Sequence, residues 1–159
     1  QLPAIVYWLM GSLGQATTGD IAWAAAPMLA GIVLLCLMGR ALDALAMGDD
    51  EARALGVPVT AVRLVTIAAA TLISALTVSI AGMIGWIGLI VPHIARLLVG
   101  PGNALLLPAA ASLGAAFLLF ADGLARNLFI TELPIGIVTE LLGIPVFLLV
   151  LRRVRRGWT

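Results

Sequence analysis

The sequence predicts an all-α protein, a polytopic helix bundle that lies in a membrane. Of its 159 residues, 62% are hydrophobic and 11% are charged, which leaves too few charges to cover a water-facing surface. Several uncharged runs reach the length of about 20 residues that a helix needs to cross a bilayer. Glycine and proline separate these runs. Together these observations predict about five to six transmembrane helices.

The uncharged runs give the predicted helices in chain order. Residues 2–13 are apolar and lack a basic flank, so they are expected to belong to a span and not to a signal peptide. Residues 21–39 and 64–91 contain no charge, and the second run is long enough to need a turn, which we place at residues 82–85. Residues 97–121 are also uncharged, and 133–151 contain only Glu140.

The segment Gly100-Pro101-Gly102-Asn103 interrupts the fourth run. Two glycines, a proline and an asparagine favour a turn over a continuous helix. We therefore expect a short helix over residues 86–99 and a further span over residues 104–122.

The arginines predict how the spans are oriented. Positive charge collects on the cytoplasmic side of membrane proteins, and four arginines follow the last span, at 152, 153, 155 and 156. With the C-terminus inside, the loops at 40–63 and 100–103 are also inside, and those at 14–20, 82–85 and 122–132 are outside. Eight of the nine arginines then lie near the inner side. The exception is Arg126.

The composition excludes several kinds of active site. The chain has no lysine, one histidine and one cysteine, so it cannot supply a Walker A loop, a Schiff base, a zinc HExxH site or an internal disulfide. Its net charge of +1 gives no sign of nucleic-acid binding. We expect a protein that is not an enzyme, holds no cofactor and takes any energy from another subunit.

The inner loop at residues 43–58 is the one extended polar passage. Asp49 or Asp50 is expected to cap a short helix, with acidic residues in its first turn, and Gly56 and Pro58 are expected to end it. Such a helix either lies on the membrane surface or is presented to a cytoplasmic partner. The residues alone leave both interpretations open.

Several motifs then occur in order along the chain: GWIGLIVPHIARL at 85–97, LP at 107–108, GA at 114–115, AD at 121–122 followed by Arg126, ELPIGIVT at 132–139 and GIPVF at 143–147. In these motifs the chain resembles the FecCD-type permeases, the membrane subunits of ABC importers for iron-siderophores, haem and cobalamin. The resemblance covers nearly the whole chain, and it is to the C-terminal half of those permeases.

The resemblance implies a ten-helix permease, of which residues 1–159 supply the fifth to tenth helices. It implies a second permease subunit, in a homodimer or heterodimer, two cytoplasmic ABC ATPase subunits and a periplasmic or lipoprotein solute-binding protein. The expected location is the bacterial inner membrane, with a cytoplasmic C-terminus and lipid around the spans.

The resemblance also assigns the inner loop at 43–58 as the cytoplasmic coupling loop. It favours docking on the ATPase over a passive position on the membrane surface. The residues expected to take part in this coupling are Asp49, Asp50, Glu51, Ala52, Arg53, Leu55 and Gly56.

Four further residues receive expected roles. The resemblance implies that Arg126 docks the binding protein, whereas its spacing also allows an ion pair with Asp122 or a position at the membrane interface. Gly136 and Glu140 are candidates for the translocation pathway, and Glu140 has an alternative position near the outer interface. His93 is expected to pack or to anchor its helix at the membrane interface, and not to bind iron or haem.

The expected function is therefore uptake of an iron-siderophore or a similar metal chelate, driven by a separate ATPase. The alternatives are a haem or cobalamin permease, an ion-coupled transporter and a truncated membrane fragment that does not transport. No residue distinguishes among the chelates.

Overall fold

The computed structural model describes residue 6 and residues 8–11, 13–14, 16–127 and 134–156, with side chains as far as residue 148. Seven helices and no strand occur within these ranges. The helices are α1 (Thr18–Leu37), α2 (Gly39–Met47), α3 (Asp49–Ala54), α4 (Val59–Ala81), α5 (Ile87–Val99), α6 (Asn103–Asn127) and α7 (Ile135–Arg156).

Three helices are long and apolar enough to cross a membrane. They are α1, α4 and α6, with 20, 23 and 25 residues. Helix α5 and the part of α7 at Ile135–Leu148 are shorter apolar segments. The predicted all-α membrane bundle is confirmed. The outer loop was expected at 122–132, but α6 continues through Asn127, and residues 128–132 lie outside the described residues.

Helix α1 begins three residues before the predicted start at residue 21. The reason is a capping box, in which the Thr17 hydroxyl accepts a hydrogen bond from the Asp20 N–H at 3.2 Å. The Asp20 carboxylate accepts one from the Thr17 N–H at 3.1 Å. This reciprocal pair satisfies two N–H groups at the helix start, so the helix includes Asp20 although that residue is charged.

The long uncharged run at 64–91 divides where the sequence predicts a turn. Helix α4 ends at Ala81, and Gly82 has a φ of +69°, with the Trp8 carbonyl directly against the position that a Cβ would occupy. Trp86 precedes α5 and has a φ of +64°, which is uncommon for a residue with a side chain. The short helix expected at 86–99 is confirmed, and it continues through Pro92.

The helices pack as two groups that α6 joins. Helix α1 packs on α4, where Gly31 leaves room for the Ile73 side chain. Helices α5, α6 and α7 contact one another, and Ala121 and Ala125 of α6 form a small core with Ile135 and Val138 of α7. Helix α6 also contacts α1.

Candidate functional site

The inner loop folds into two short helices, α2 and α3. Helix α3 is preceded by Gly48, which has a φ of +128°, a backbone conformation that favours glycine. The Gly48 carbonyl accepts a hydrogen bond from the Ala52 N–H at 3.0 Å. The expectation that Asp49 or Asp50 caps this helix was therefore wrong. Asp49, Asp50 and Glu51 instead form its first turn, where negative charge is favourable near the free N–H groups.

The end of α3 follows the sequence expectation. Gly56 has a φ of +78°, and its N–H donates to the Arg53 carbonyl at 2.9 Å. The Val57 N–H donates to the Ala52 carbonyl at 3.0 Å. These two bonds form a Schellman motif, which ends a helix at a residue in the left-handed conformation.

An ion pair attaches α3 to the first turns of α4. Asp49 Oδ1 lies 2.7 Å from Arg63 Nη2, and Asp49 Oδ2 lies 3.4 Å from Arg63 Nη1. The hydrogen bond from Arg63 is the main reason that the pKa of Asp49 lies below its ordinary value of 3.8. A second ion pair, between Asp50 and Arg53 at 3.1 Å, lies within α3 and is exposed.

The seven residues predicted for coupling have different surroundings. Ala52 is completely buried against Ala44 of α2 and Val59 of α4. Its side chain therefore packs α3 onto these two helices and is not accessible to a partner. Asp49 is half-buried by its pairing with Arg63. The five others of the predicted seven are exposed: Asp50, Glu51, Arg53, Leu55 and Gly56.

This exposed surface combines charge with one large apolar side chain. Leu55, the residue that follows α3, is 63% exposed. A helix held firmly on one side, with charges and a leucine on the other, fits the contact surface of a protein partner.

Sequence reasoning missed the attachment of α2 to α6. Asp43 Oδ1 accepts a hydrogen bond of 2.7 Å from the Asn103 N–H. Gly39, one turn earlier, lies against Ala104 so closely that a Cβ could not fit. The spacing of Gly39 and Asp43 places both on one face of α2, which is the sequence signal that could have suggested a contact.

Arg126 forms the ion pair that its spacing allows. Its Nε lies 2.9 Å from Asp122 Oδ2, one turn earlier on α6. The Arg126 side chain is 48% exposed and that of Asp122 is 26% exposed. The guanidinium group thus retains accessible N–H donors while the carboxylate holds it in position.

The two pathway candidates lie on the first turns of α7. Gly136 is buried, and the Met10 carbonyl lies against the position of a Cβ there. Glu140 is exposed, and its carboxylate lies beside Gly85 in the turn before α5. His93 is exposed on α5. Among the described residues, no cluster of histidine, cysteine, aspartate or glutamate could hold a metal ion.

Residues of the 85–97 and 143–147 motifs meet where α5 packs on α7. The rings of Trp86 and Phe147 lie 5.7 Å apart in an edge-to-face arrangement, a favoured geometry for aromatic pairs. A Cβ on Gly143 would lie 2.9 Å from the Cβ of Trp86. These residue types are therefore accounted for by helix packing.

The sequence as a whole matches the FecCD transport family over residues 1–153. The chain belongs to the FecCD transport family. The resemblance inferred from the motifs is thus confirmed, and it extends from the first residue through the first two C-terminal arginines.

The individual proteins similar to this FecCD-family chain are named for different cargoes. The molybdate import system permease protein MolB of Haemophilus influenzae is 39% identical over 99% of this chain and 47% of its own length. The cobalamin import system permease protein BtuC of Halobacterium salinarum is 43% identical over 92% of this chain and 40% of its own length. The chain therefore spans about half the length of the curated relatives it matches.

A solved structure shares the fold. It is described as an inward-facing conformation of a metal-chelate type ABC transporter, and it is 38% identical to this FecCD-family chain. The match has a TM-score of 0.91 and covers 96% of this chain and 49% of that one.

Proposed function

We propose that this FecCD-family chain is the C-terminal half of the permease subunit of an ABC importer in a bacterial inner membrane. The single observation that carries the proposal is helix α3, which is attached on one side and exposed on the other. It would receive movement from a cytoplasmic ATPase, and the spans would convert that movement into alternating access. The chain would perform no chemistry itself.

The attachment of α3 supports its role as a docking element. Ala52 and the pair of Asp49 and Arg63 connect it to α2 and α4, so a displacement of α3 would be passed to membrane helices. The exposed charges of Asp50, Glu51 and Arg53 would orient the partner, and Leu55 would add an apolar contact.

The remaining partners follow from the same proposal. A second permease subunit would complete the path, and a solute-binding protein would dock at the outer side, near Arg126. Glu140 would contact the path through its exposed carboxylate, whereas the buried Gly136 would shape the path by allowing the close approach of Met10.

For the cargo we propose an iron-siderophore or a similar metal chelate. The likeness to a structure described as a metal-chelate type transporter supports this class. Haem and cobalamin are alternatives, and the molybdate permease among the relatives adds a small oxyanion to the cargoes to be compared. Because the chain spans about half of its relatives' length, a membrane fragment that does not transport is the alternative function.

Charge reversal on α3 tests the docking. We expect Glu51→Arg combined with Gly56→Pro in the full-length permease to abolish co-purification of the ATPase, because the first change reverses an exposed charge and the second is incompatible with a φ of +78°. The matched control is Asp20→Arg, since Asp20 is also the third residue of its helix but is predicted to lie on the outer side. Unchanged binding of the ATPase to the double variant would contradict the proposed docking.

A further inference from the structure

Helix α2 connects α3 to a second membrane span, α6. Asn103 is the first residue of α6, since the carbonyl of Gly102 accepts the first hydrogen bond of the helix, from the Leu106 N–H at 2.9 Å. The N–H of a first helical residue has no acceptor within its own helix. Asp43 supplies that acceptor from α2, at 2.7 Å and in a half-buried position.

Gly39 extends this contact along the same face of α2. A Cβ at Gly39 would lie 2.6 Å from the Cα of Ala104 and 2.8 Å from its nitrogen. The backbone of α2 therefore lies directly against the first turn of α6. The Asp43 carboxylate is also favoured there by the positive end of the helix dipole.

The other side of α2 packs on α3. Ala44 is buried against Ala52 and Val59, and Leu45 packs at the edge of the same cluster. Helix α2 thus contacts α3 on one face and α6 on the other, while α3 reaches α4 directly through Asp49 and Arg63.

We propose that Asp43 is a positioning residue that passes a displacement of α3 to α6. The inference rests on the proposed function, because α3 is taken as the helix on which the ATPase docks. A movement of α3 would reach α4 through the ion pair and α6 through α2. Without the Asp43 contact, the start of α6 loses its hydrogen bond to α2, and only the packing of Gly39 on Ala104 still links α2 to α6, so α6 follows α3 less closely.

Two variants remove the same hydrogen bond from opposite sides. Asp43→Ala removes the acceptor, and Asn103→Pro removes the donor. Proline is well tolerated at the first position of a helix because the missing N–H has no partner within that helix. Asp43→Asn keeps a side-chain oxygen that can accept the bond. Asp20→Ala is the control, because it removes an N-terminal carboxylate contact from α1.

The experiment uses the full-length permease with its ATPase and binding protein in liposomes. It measures bound ATPase, ATP hydrolysis, and uptake of a ferric hydroxamate siderophore, haemin, cobalamin or molybdate, whichever the wild-type complex carries. We expect uptake per ATP hydrolysed to fall about fivefold to tenfold in Asp43→Ala and Asn103→Pro. Bound ATPase should not change, and Asp43→Asn and Asp20→Ala should behave as wild type.

The outcomes separate this inference from the proposed function. A purely structural role for Asp43 would lower the yield of folded complex and leave uptake per ATP unchanged, which would overturn the inference. Loss of ATPase binding in both variants would also overturn it, since Asp43 would then shape the docking surface itself. If Glu51→Arg with Gly56→Pro still releases the ATPase, the proposed function stands in either case. Absence of ATP-dependent uptake by the wild-type complex would overturn both.

Discussion

At the scale of single residues, three aspartates have a defined structural partner. Asp49 pairs with Arg63, Asp122 pairs with Arg126, and Asp43 accepts a backbone N–H. Exposed ion pairs contribute little to stability on their own. Their consequence here is geometric, because each one fixes the position of a group that the proposed partners would contact.

Arg126 and Asp122 allow the docking role to be separated from the ion pair. We expect Arg126→Glu to slow association of the solute-binding protein by roughly tenfold at low salt, because a charge at the rim of an interface acts mainly on the association rate. Surface-plasmon measurements on the permease in nanodiscs would give this rate.

The control for Arg126 is Asp122→Ala, which removes the ion pair and leaves the cation. Docking predicts that this variant associates at close to the wild-type rate. Equal association rates for wild type and Arg126→Glu would restrict Arg126 to its intramolecular pair.

The low pKa of Asp49 predicts how the attachment of α3 depends on pH. Because the pKa in the folded state lies below the ordinary value of 3.8, the ion pair stabilises the fold above that value and is lost as the pH falls through the folded pKa. We expect a nitroxide label on Leu55→Cys, in a Cys36→Ser background, to keep its mobility from neutral pH to about pH 5 and to gain mobility only in stronger acid.

Two variants of that labelled protein provide the comparison. Asp49→Asn should show the mobile spectrum throughout the pH range, whereas Asp50→Asn should not, since Asp50 pairs only within α3. A gain in mobility that begins near pH 6 in the labelled protein with Asp49 and Asp50 intact would mean that a different group controls the attachment.

At the scale of elements, close backbone contacts at glycine determine where the helices meet. Gly39 contacts the start of α6, and Gly31 accommodates Ile73 between α1 and α4. Small residues at membrane helix contacts let backbones approach closely and gain packing energy. The glycines therefore have different sensitivities to substitution.

Gly39 and Gly123 form a matched pair for testing this. We expect Gly39→Ala to destabilise the protein by about 1–3 kcal/mol, because the added methyl would meet the backbone of Ala104 and not a flexible side chain. Gly123→Ala, on α6, has no atom within 4 Å of the new methyl and should be neutral or stabilising by up to about 1 kcal/mol.

Thermal unfolding in detergent, followed by tryptophan fluorescence, measures both glycine variants. Equal melting temperatures for the two would show that α2 is not packed against α6 in the membrane protein.

Sequence patterns predicted the elements better than their contacts. The turns at 82–85 and 100–103 and the end of α3 at Gly56 have local signals in glycine and proline, and the structure has all three. The start of α3 was missed because Gly48 caps it with a carbonyl, which leaves no side-chain signature. The contact of Asp43 with Asn103 joins residues 60 positions apart, and helical periodicity carries no information about such pairs.

The candidate site was predictable to a similar degree. Its location in the 43–58 loop follows from polarity, and the ion pair of Arg126 with Asp122 follows from helical spacing. The burial of Ala52 does not follow from the sequence, because the face that a helix of 6 residues buries depends on the helices against which it packs. The cargo is not encoded in any residue that physical reasoning could single out.

At the scale of the whole molecule, the two helix groups meet at α6. Helix α2 is attached to α6 and helix α3 is attached to α4, so the two short helices contact both groups. The starts of α4 and α6 lie at the same end of the bundle, beside α2 and α3. Large apolar side chains such as Trp23, Leu119 and Leu141 are exposed on the apolar helices, as expected for surfaces that face lipid or other membrane helices.

As proposed above, this FecCD-family chain is part of a permease that an ATPase drives. The most direct measurement is accumulation of a radiolabelled ferric siderophore in liposomes that contain the full-length permease, its ATPase and its binding protein, with haem, cobalamin and molybdate measured in parallel. We predict accumulation with ATP and none with a non-hydrolysable analogue. Absence of ATP-dependent accumulation for all four cargoes would contradict the claim.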